Sequence, residues 1–373
     1  MGLDLGSIEF YAGPTVLGGP DDLDAVVRSF ISGAEKRLLI AVQELDSRAI
    51  AEAILAAKVA SVRVQLILEG DYLAEDPPVA DPWAEVGDNE DNRAIHSAVL
   101  RAGVDVITDL NPKIFHQKFM VRDPGLPTAA VLTGSTNFTL TDTGKNPPGA
   151  SPVSGNNLNH VVVLHGERVA EQYLEEFLRY RGGTFGELHE RHEPKPSEFR
   201  LANIRVKPLF APMHGPEMEL MKQMLKARTS IDFAMFTFAE SSGIDDTMIR
   251  LAASYQRIRG VLDRAQGAQD WAATQPLKAA GVQLFQNKPG DRSAQGASQA
   301  DGPRRADRDR RELQLHGAGD NAQRREHHRA RRSGGERSSR RSGPAATRRV
   351  RARRDRTHHR RLGRTRVTVV PRR

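Results

Sequence analysis

Two short segments of the sequence carry side chains suited to chemistry at a phosphorus atom. His116 and Lys118 stand two residues apart, Asp123 follows them, and a Gly-Ser-Thr-Asn segment begins at Gly134. An imidazole can attack phosphorus, and an ammonium can hold a phosphoryl oxygen as negative charge develops in the transition state. Neither step needs a metal ion, so we expect no metal or other cofactor.

These side chains need a strand to hold them. The run Phe115–Val121 predicts one, and residues i and i+2 of a strand share a face. His116, Lys118 and Met120 would therefore point one way, and the other face would carry Phe115, Gln117, Phe119 and Val121. A polar pair on one face and mainly apolar residues on the other are typical of a strand at the mouth of a site. Asp123 follows this strand, where its carboxylate could serve as a hydrogen-bonding or ionic partner.

Strands and helices alternate through the first half of the chain, which indicates a layered α/β domain. The predicted strands are 38–42, 62–68, 104–108, 115–121, 129–133 and 160–164, and the predicted helices are 21–34, 48–57, 93–102 and 168–180. An acidic, proline-containing insert at 72–92 predicts a surface loop.

The pattern then restarts. The sequence RLLIAVQELDSRAIAEAI at 37–54 is paralleled by SIDFAMFTFAESSGIDDTMI at 230–249, and a polar segment separates the two copies. Such self-similarity predicts an internal duplication. We expect a first repeat, a linker, a truncated second repeat and a tail, with the bounds 1–182, 183–207, 208–290 and 291–373.

The charge of the 373-residue chain is unevenly distributed. The total is 55 Lys+Arg against 47 Asp+Glu, but residues 291–373 hold 26 Arg, no Lys, nine acidic residues and no aromatic residue. Residues 1–290 are net acidic, with a charge of −9. Without aromatic bulk the tail cannot bury enough apolar surface to offset its ordering entropy, so we predict that it is disordered. Its positive charge predicts non-specific binding of polyanions.

The two chemical segments resemble the phospholipase D superfamily, whose signature is H-x-K-x4-D followed by G-S-x-N. The resemblance implies a duplicated, layered α/β repeat, with a mixed sheet flanked by helices, in which two motifs meet at a pseudo-twofold interface. It implies that His116 is the nucleophile that forms a phosphohistidine, or else the acid that protonates the leaving oxygen. It also implies that Lys118 clamps the phosphoryl oxygens and that Asp123 fixes local charge and orientation.

The same resemblance implies that Gly134, Ser135 and Asn137 support the phosphate or the imidazole. The activity it implies is phosphodiester hydrolysis, of a phospholipid to phosphatidate and a head-group alcohol. An endonuclease of the same superfamily is the alternative, although the acidic body argues against non-specific DNA binding. A catalytically impaired remnant or a binding protein is a third reading, because only one motif is in frame.

The second motif is missing from the sequence as written. His116 follows Gly103 by 13 residues, and the same spacing after Gly281 places a second histidine near position 294, where no H-x-K occurs. Shifted by one base, codons from Ala294 onward permit RKVHHKLMVLDEQTVIAGSSNYT, which contains both parts of the signature. Our hypothesis is that the tail is a frameshifted translation that begins near Asp291–Gln295; a genuine nucleic-acid-binding arm is the alternative.

The remaining features concern location and assembly. The chain has no Cys, which excludes disulfides and Cys-bearing zinc sites. We expect no signal peptide and no transmembrane segment, hence a cytoplasmic protein or one peripheral to a membrane. Superfamily relatives with one motif pair their histidines by dimerising, but the second repeat would occupy that interface here, so we expect a monomer.

Several polar residues outside the motif receive weaker interpretations. Glu44 and Asp46 follow the first strand, where we expect solvated carboxylates, and Glu69 and Asp71 end the second strand near the expected cleft. His160 has no partner spacing that indicates chemistry, and we expect it in ordinary packing.

Overall fold

Apolar runs of five or six residues build the strands of the central sheet, and amphipathic segments between them build the helices that cover it. The computed structural model describes residues 2–109, 113–146, 155–186, 194–254 and 257–287. These residues all belong to one compact unit. The tail 291–373, for which the sequence predicts disorder, lies outside the described residues.

The strands and helices of the described residues follow one another in the order typical of α/β proteins. The strands are β1 (Leu3–Asp4), β2 (Ile8–Gly13), β3 (Arg37–Val42), β4 (Arg63–Leu68), β5 (Asp105–Thr108), β6 (Lys118–Arg122), β7 (Ala130–Gly134), β8 (Asn159–His165), β9 (Phe199–Leu201), β10 (Ile204–Val206), β11 (Ser230–Met235), β12 (Arg257–Leu262) and β13 (Gln283–Gln286). The α-helices are α1 (Leu23–Ser32), α2 (Arg48–Val59), α3 (Glu90–Arg101), α4 (Leu140–Thr143), α5 (Glu167–Arg181), α6 (Pro216–Met224), α7 (Ile244–Ala252) and α8 (Thr274–Ala279).

The first eight strands form one mixed sheet in the order β1-β2-β8-β7-β6-β3-β4-β5. Strands β3, β4 and β5 are parallel, whereas β6 pairs antiparallel with β3 and with β7. Parallel neighbours need crossover connections, which α2 and α3 supply. The layered α/β fold with a mixed sheet flanked by helices is therefore confirmed.

Both faces of this sheet are buried, which explains why β3 is a continuous apolar run. Leu38, Ile40 and Val42 pack with the side of the sheet that α1 and α2 cover. Leu39 and Ala41, which alternate with them, pack with α5 on the opposite side. Asp22 and Ser47 are the N-cap residues of α1 and α2, and their side chains accept hydrogen bonds from backbone N–H groups of the first helical turn.

The structure differs from the sequence-based expectations in places. The strand predicted at 115–121 begins at Lys118, so His116 and Gln117 precede it. The sequence analysis missed β2, which joins the sheet beside β8. The predicted linker contains an antiparallel hairpin of β9 and β10. Short or charged strands such as these carry little apolar periodicity, which is the signal that sequence analysis uses.

Residues 194–287 contain a second, smaller sheet. Its order is β11-β12-β13, all parallel, with α7 and α8 between the strands, as in the β3-β4-β5 part of the first sheet. Among the described residues, β11 pairs with β12 alone and leaves its other edge open. Val261 and Phe285 are 50% and 57% exposed. By strand alternation they lie on the face opposite the core of this sheet.

No helix within the described ranges is both long and apolar enough to cross a bilayer. The longest, α5, has 15 residues and carries charge at intervals along its length.

The packing of α5 gives a test of the sheet's second face. Phe177 is fully buried against this face, whereas its neighbour Leu178 is 48% exposed. We expect Phe177→Ala to lower the free energy of unfolding by about 3–5 kcal/mol because it opens a cavity. Leu178→Ala, the control in the same helix, should cost about 0.5 kcal/mol or less. Urea denaturation of both variants measures this, and equal losses would contradict the described packing.

Candidate active site

The ends of three strands, β4, β3 and β6, meet at one edge of the large sheet. The backbone N–H of Gln43 donates to the carbonyl of Gln117 at 2.9 Å, and that of Glu69 donates to the carbonyl of Gln43 at 3.3 Å. These bonds continue the β4-β3-β6 ladder one residue beyond the strands. They hold the segment that contains His116 against the carboxyl ends of β3 and β4.

Lys118 is the buried cation of this edge, with only 4% of its surface exposed. Its Nζ donates to Oε1 of Gln43 at 2.8 Å and to the carbonyl of His116 at 3.3 Å. Nε2 of Gln43 in turn donates to the hydroxyl of Tyr72 at 2.8 Å. A buried ammonium is tolerated only where acceptors replace its hydration. The Gln43 amide therefore fixes where the positive charge lies.

His116 is half-buried and lies two residues before Lys118, the first residue of β6. The ring of Phe115 packs edge-on against Tyr180 and Phe185, with ring centroids 5.0 and 5.4 Å away. The backbone N–H of Phe115 donates to the carboxylate of Glu69. The histidine therefore sits on a segment that is anchored on one side by aromatic packing and on the other by a buried carboxyl group.

The structure does not bring Asp123 together with His116 and Lys118. Asp123 lies at the other end of β6 with a φ of 49° and no exposed surface. Its carboxylate accepts hydrogen bonds from the backbone N–H groups of Glu35, Lys36 and Arg37, at 2.9, 2.7 and 2.8 Å. It ties the start of β3 to the end of β6 and acts on the site only through the register of these strands.

Ser135 and its neighbours join β7 to β8. Ser135 Oγ donates to Oδ1 of Asn159 at 2.8 Å and lies 3.1 Å from Nδ1 of His160. A Cβ at Gly134 would collide with the carbonyl of His160, so only glycine permits this close approach. No local pattern in the sequence indicates His160, because its partner Ser135 follows a different strand, β7.

Asn137 is buried and its backbone N–H donates to the carboxylate of Asp142 at 2.8 Å. Its Oδ1 has no hydrogen-bond partner among the described residues. Buried amide oxygens usually accept a hydrogen bond, so Oδ1 of Asn137 is an acceptor that the described residues do not use. Support of a phosphate or of the imidazole by Gly134, Ser135 and Asn137 stays a prediction.

The carboxyl group of Asp46, which was expected to be solvated, is half-buried. Asp46 accepts from the backbone N–H of Leu140 at 2.7 Å, and burial, with repulsion from Asp142 and Asp91, raises the pKa of Asp46 to about 7. The expectation of a solvated Asp46 is therefore wrong, because α4 folds over it. By contrast, the side chain of Asp71 is exposed.

Glu69 is 2% exposed and accepts a second hydrogen bond from the backbone N–H of Asp71 at 3.1 Å. Burial is the largest cause that raises the pKa of Glu69 to about 8, and the negative charge of Asp109 adds to it.

A cavity of about 580 Å³ opens beside Lys118. Phe119 and Thr133 of the first sheet and Tyr173 of α5 line it on one side. Its rim carries paired charges, such as Lys207 Nζ and Glu219 Oε2 at 2.6 Å. This volume suits a small organic group. Within the described ranges, no group of three or more His, Asp or Glu side chains could hold a metal ion.

The contacts of Asp123 predict a large effect on stability. Asp123→Ala leaves three backbone N–H groups without their acceptor, so we expect the free energy of unfolding at pH 7 to fall by about 3 kcal/mol or more. The exposed Asp81 gives the control, and Asp81→Ala should change the unfolding free energy by less than about 0.5 kcal/mol. Chemical denaturation measures both, and a stable Asp123→Ala variant would show that the carboxylate does not hold β3 and β6 together.

The raised pKa of Asp46 predicts a pH-dependent contribution to stability. The unfolded carboxyl loses its proton near pH 3.8 and the folded one near pH 7, so this contribution is complete below pH 3.8 and is lost as the pH rises through 7. Asp46→Asn cannot titrate. The difference in thermal midpoint between variant and wild type should therefore move in favour of the variant between pH 4 and pH 8. The control Glu52→Gln, exposed on α2, should show a constant difference.

Comparison with known proteins places this geometry in a family. Residues 27–181 match the family described as "Cardiolipin synthase, PLD-like domain". Nuc, a phospholipase D family member from Salmonella typhimurium, is 21% identical, with 48% of this chain and 95% of that chain covered and a TM-score of 0.34. Phosphatidylserine synthase from Haemophilus influenzae Rd KW20 is 10% identical, with coverages of 79% and 75% and a TM-score of 0.50. No curated protein sequence matches significantly.

The likeness to phosphatidylserine synthase concerns the fold alone. The match to the family profile covers β3 to β8, and with them both parts of the sequence signature. Residues 27–181 therefore form a PLD-like domain of the phospholipase D superfamily.

Proposed function

We propose that this chain is a phospholipase D-like phosphodiesterase in which His116 attacks phosphorus and Lys118 holds the phosphoryl oxygens. The observation that carries the proposal is the buried Lys118 ammonium, fixed by Gln43 at 2.8 Å and held 3.3 Å from the carbonyl of His116. A preorganised cation of this kind stabilises charge that develops on a phosphoryl group.

The reaction has two steps. A ring nitrogen of His116 forms a bond to phosphorus while the bond to the alcohol oxygen breaks, which leaves a phosphohistidine and an alcohol that needs a proton. Water then attacks phosphorus, the bond to the imidazole breaks and the phosphomonoester is released. The proton for the alcohol comes from a second acid, the complementary histidine that the resemblance implies.

A phospholipid is the substrate that we propose first. Residues 1–290 carry a net charge of −9, which repels a polyanionic strand, whereas a single diester presents one negative charge. The cavity beside Lys118 has room for a head group. The shared fold with a protein named phosphatidylserine synthase is consistent with this choice. The Arg-rich tail favours the second candidate, an endonuclease.

We also propose that the second half of the site was lost through a change of reading frame. The first sheet has β6 on the edge of β3, whereas the corresponding strand β11 has an open edge among the described residues. The exposed Val261 and Phe285 lie where α5 covers the first sheet. Both features are expected of a sheet whose later strands are not encoded in frame.

The register of the first sheet predicts where the missing second lysine and histidine would lie in the second sheet. Lys118 pairs with Val42, the last residue of β3, and Met235 is the last residue of β11. The second lysine, whose shifted codon straddles Gln299 and Ala300, would therefore pair with Met235. Its histidine, encoded across Ala297 and Ser298, would lie just before the strand as His116 does.

The decisive experiment compares the chain as written with a frame-restored chain, each with and without His116→Ala. Hydrolysis of phosphatidylcholine vesicles and of single-stranded DNA is measured at equal protein concentration. We expect the frame-restored chain to cleave the phospholipid at least about 100-fold faster than the chain as written, because a general acid typically contributes that much.

His116→Ala should abolish turnover in the frame-restored chain while circular dichroism shows that the fold is retained. Cleavage of DNA without cleavage of the phospholipid would show that the chain is an endonuclease and not a phospholipase. Full activity of the chain as written would refute the reading-frame proposal. Unchanged turnover in His116→Ala would refute the proposal that His116 is the nucleophile.

A further inference from the structure

Two buried carboxyl groups meet behind the candidate site. Glu69 directly follows β4 and Asp109 directly follows β5, and each is 2% exposed. Leu68 pairs with Thr108 in the parallel β4-β5 ladder, so the next residues, Glu69 and Asp109, are side-by-side neighbours, and the Asp109 carboxyl group raises the pKa of Glu69 by its charge and by hydrogen bonding. Asp109 Oδ1 also accepts from the backbone N–H of Gly70 at 3.0 Å, so the pair joins the carboxyl ends of neighbouring parallel strands.

A direct hydrogen bond between two carboxyl groups requires one proton between them, because carboxylates are acceptors only. Burial makes a second negative charge costly, and each carboxylate repels the other. The pair therefore titrates as a unit that holds one proton over the neutral range, with the pKa of Glu69 raised to about 8.

The pair reaches His116 through one backbone group. The N–H of Phe115 donates to the Glu69 carboxylate, and Phe115 directly precedes His116. On the other side, the Phe115 ring is held by Tyr180 and Phe185. Displacement of the Glu69 carboxylate therefore removes one of the contacts that anchor the histidine segment.

We propose that Glu69 and Asp109 form a proton-sharing carboxyl pair that positions His116, by holding the backbone of residues 115–117 against the ends of β4 and β5. This inference rests on the proposed function of His116. Glu69 is a positioning residue, because it acts on the imidazole through the chain and touches no reacting atom. Loss of the shared proton releases the segment by repulsion between the two carboxylates.

The charged and titratable neighbours of the pair lie on several elements. The turn after β4 contributes Asp71 and Tyr72, the segment after β5 contributes Lys113 and His116, and β6 contributes Lys118. Strand β3 contributes the neutral Gln43. Asp109 supplies the charge interaction that raises the pKa of Glu69. We therefore attribute the pH-dependent release of the histidine segment to the carboxyl pair.

The test follows amide hydrogen exchange of residues 113–121 in the full chain between pH 6 and pH 9.5, with protection corrected for intrinsic exchange. In the wild type, protection should be constant to about pH 8 and then fall by up to about tenfold per pH unit, as release becomes linked to loss of one proton. Glu69→Gln can still accept from Phe115 and donate to Asp109 but cannot titrate. Its protection should stay constant to pH 9.5, and Glu52→Gln should behave as the wild type.

The kinetic readout is the pH profile of phosphodiester cleavage by the frame-restored chain. We expect kcat of the wild type to fall above pH 8 with KM unchanged, and Glu69→Gln to lack this fall. Glu69→Ala, which removes the anchor, should lower kcat at least about tenfold at pH 7.

The two readouts separate the failure of this inference from the failure of the proposed function. If no diester is cleaved, the exchange data still decide whether the pair holds the segment. Exchange that is independent of pH in the wild type, or equally dependent on pH in Glu69→Gln, would overturn the inference. An alkaline fall of kcat that persists in Glu69→Gln would do so as well.

Discussion

The candidate site depends on the burial of one positive charge. The ammonium of Lys118 lies almost entirely out of water, where an unpartnered cation would cost several kcal/mol. The fold meets this cost with the side-chain oxygen of Gln43 and a backbone carbonyl of the histidine segment. The same contacts that make the charge tolerable also fix it in place, which is what electrostatic stabilisation of a phosphoryl group requires.

The sheet supplies the geometry for this arrangement. Gln43 and Lys118 come from antiparallel neighbours, and their separation depends on the register of β3 against β6. Asp123 sets that register from the far end by accepting three backbone hydrogen bonds. A residue of the signature thus ties β3 to β6 at the end opposite to Lys118.

The alternation of apolar segments was sufficient to predict most of the first sheet and the helices that cover it. The spacing of His116 and Lys118 was sufficient to predict that they lie close together, and Lys118 Nζ lies 3.3 Å from the carbonyl of His116. The sequence placed Asp123 just past β6, but it could not identify the backbone N–H groups of residues 35–37 as the donors to its carboxylate. Nor could it identify Gln43, Glu69 and Asp109 as partners of the site, since each lies at the end of a different strand. Such contacts follow from strand order and register, which a local pattern does not encode.

The central claim is that His116 bonds covalently to phosphorus while Lys118 holds the phosphoryl oxygens. The most direct measurement is rapid acid-free quenching of the frame-restored chain during turnover of phosphatidylcholine, followed by mass spectrometry of the peptide that contains His116. The account requires a transient phosphatidyl adduct on the His116 ring, which decays as phosphatidate appears. Turnover that proceeds with the adduct on another residue, or with no adduct on any, would contradict it.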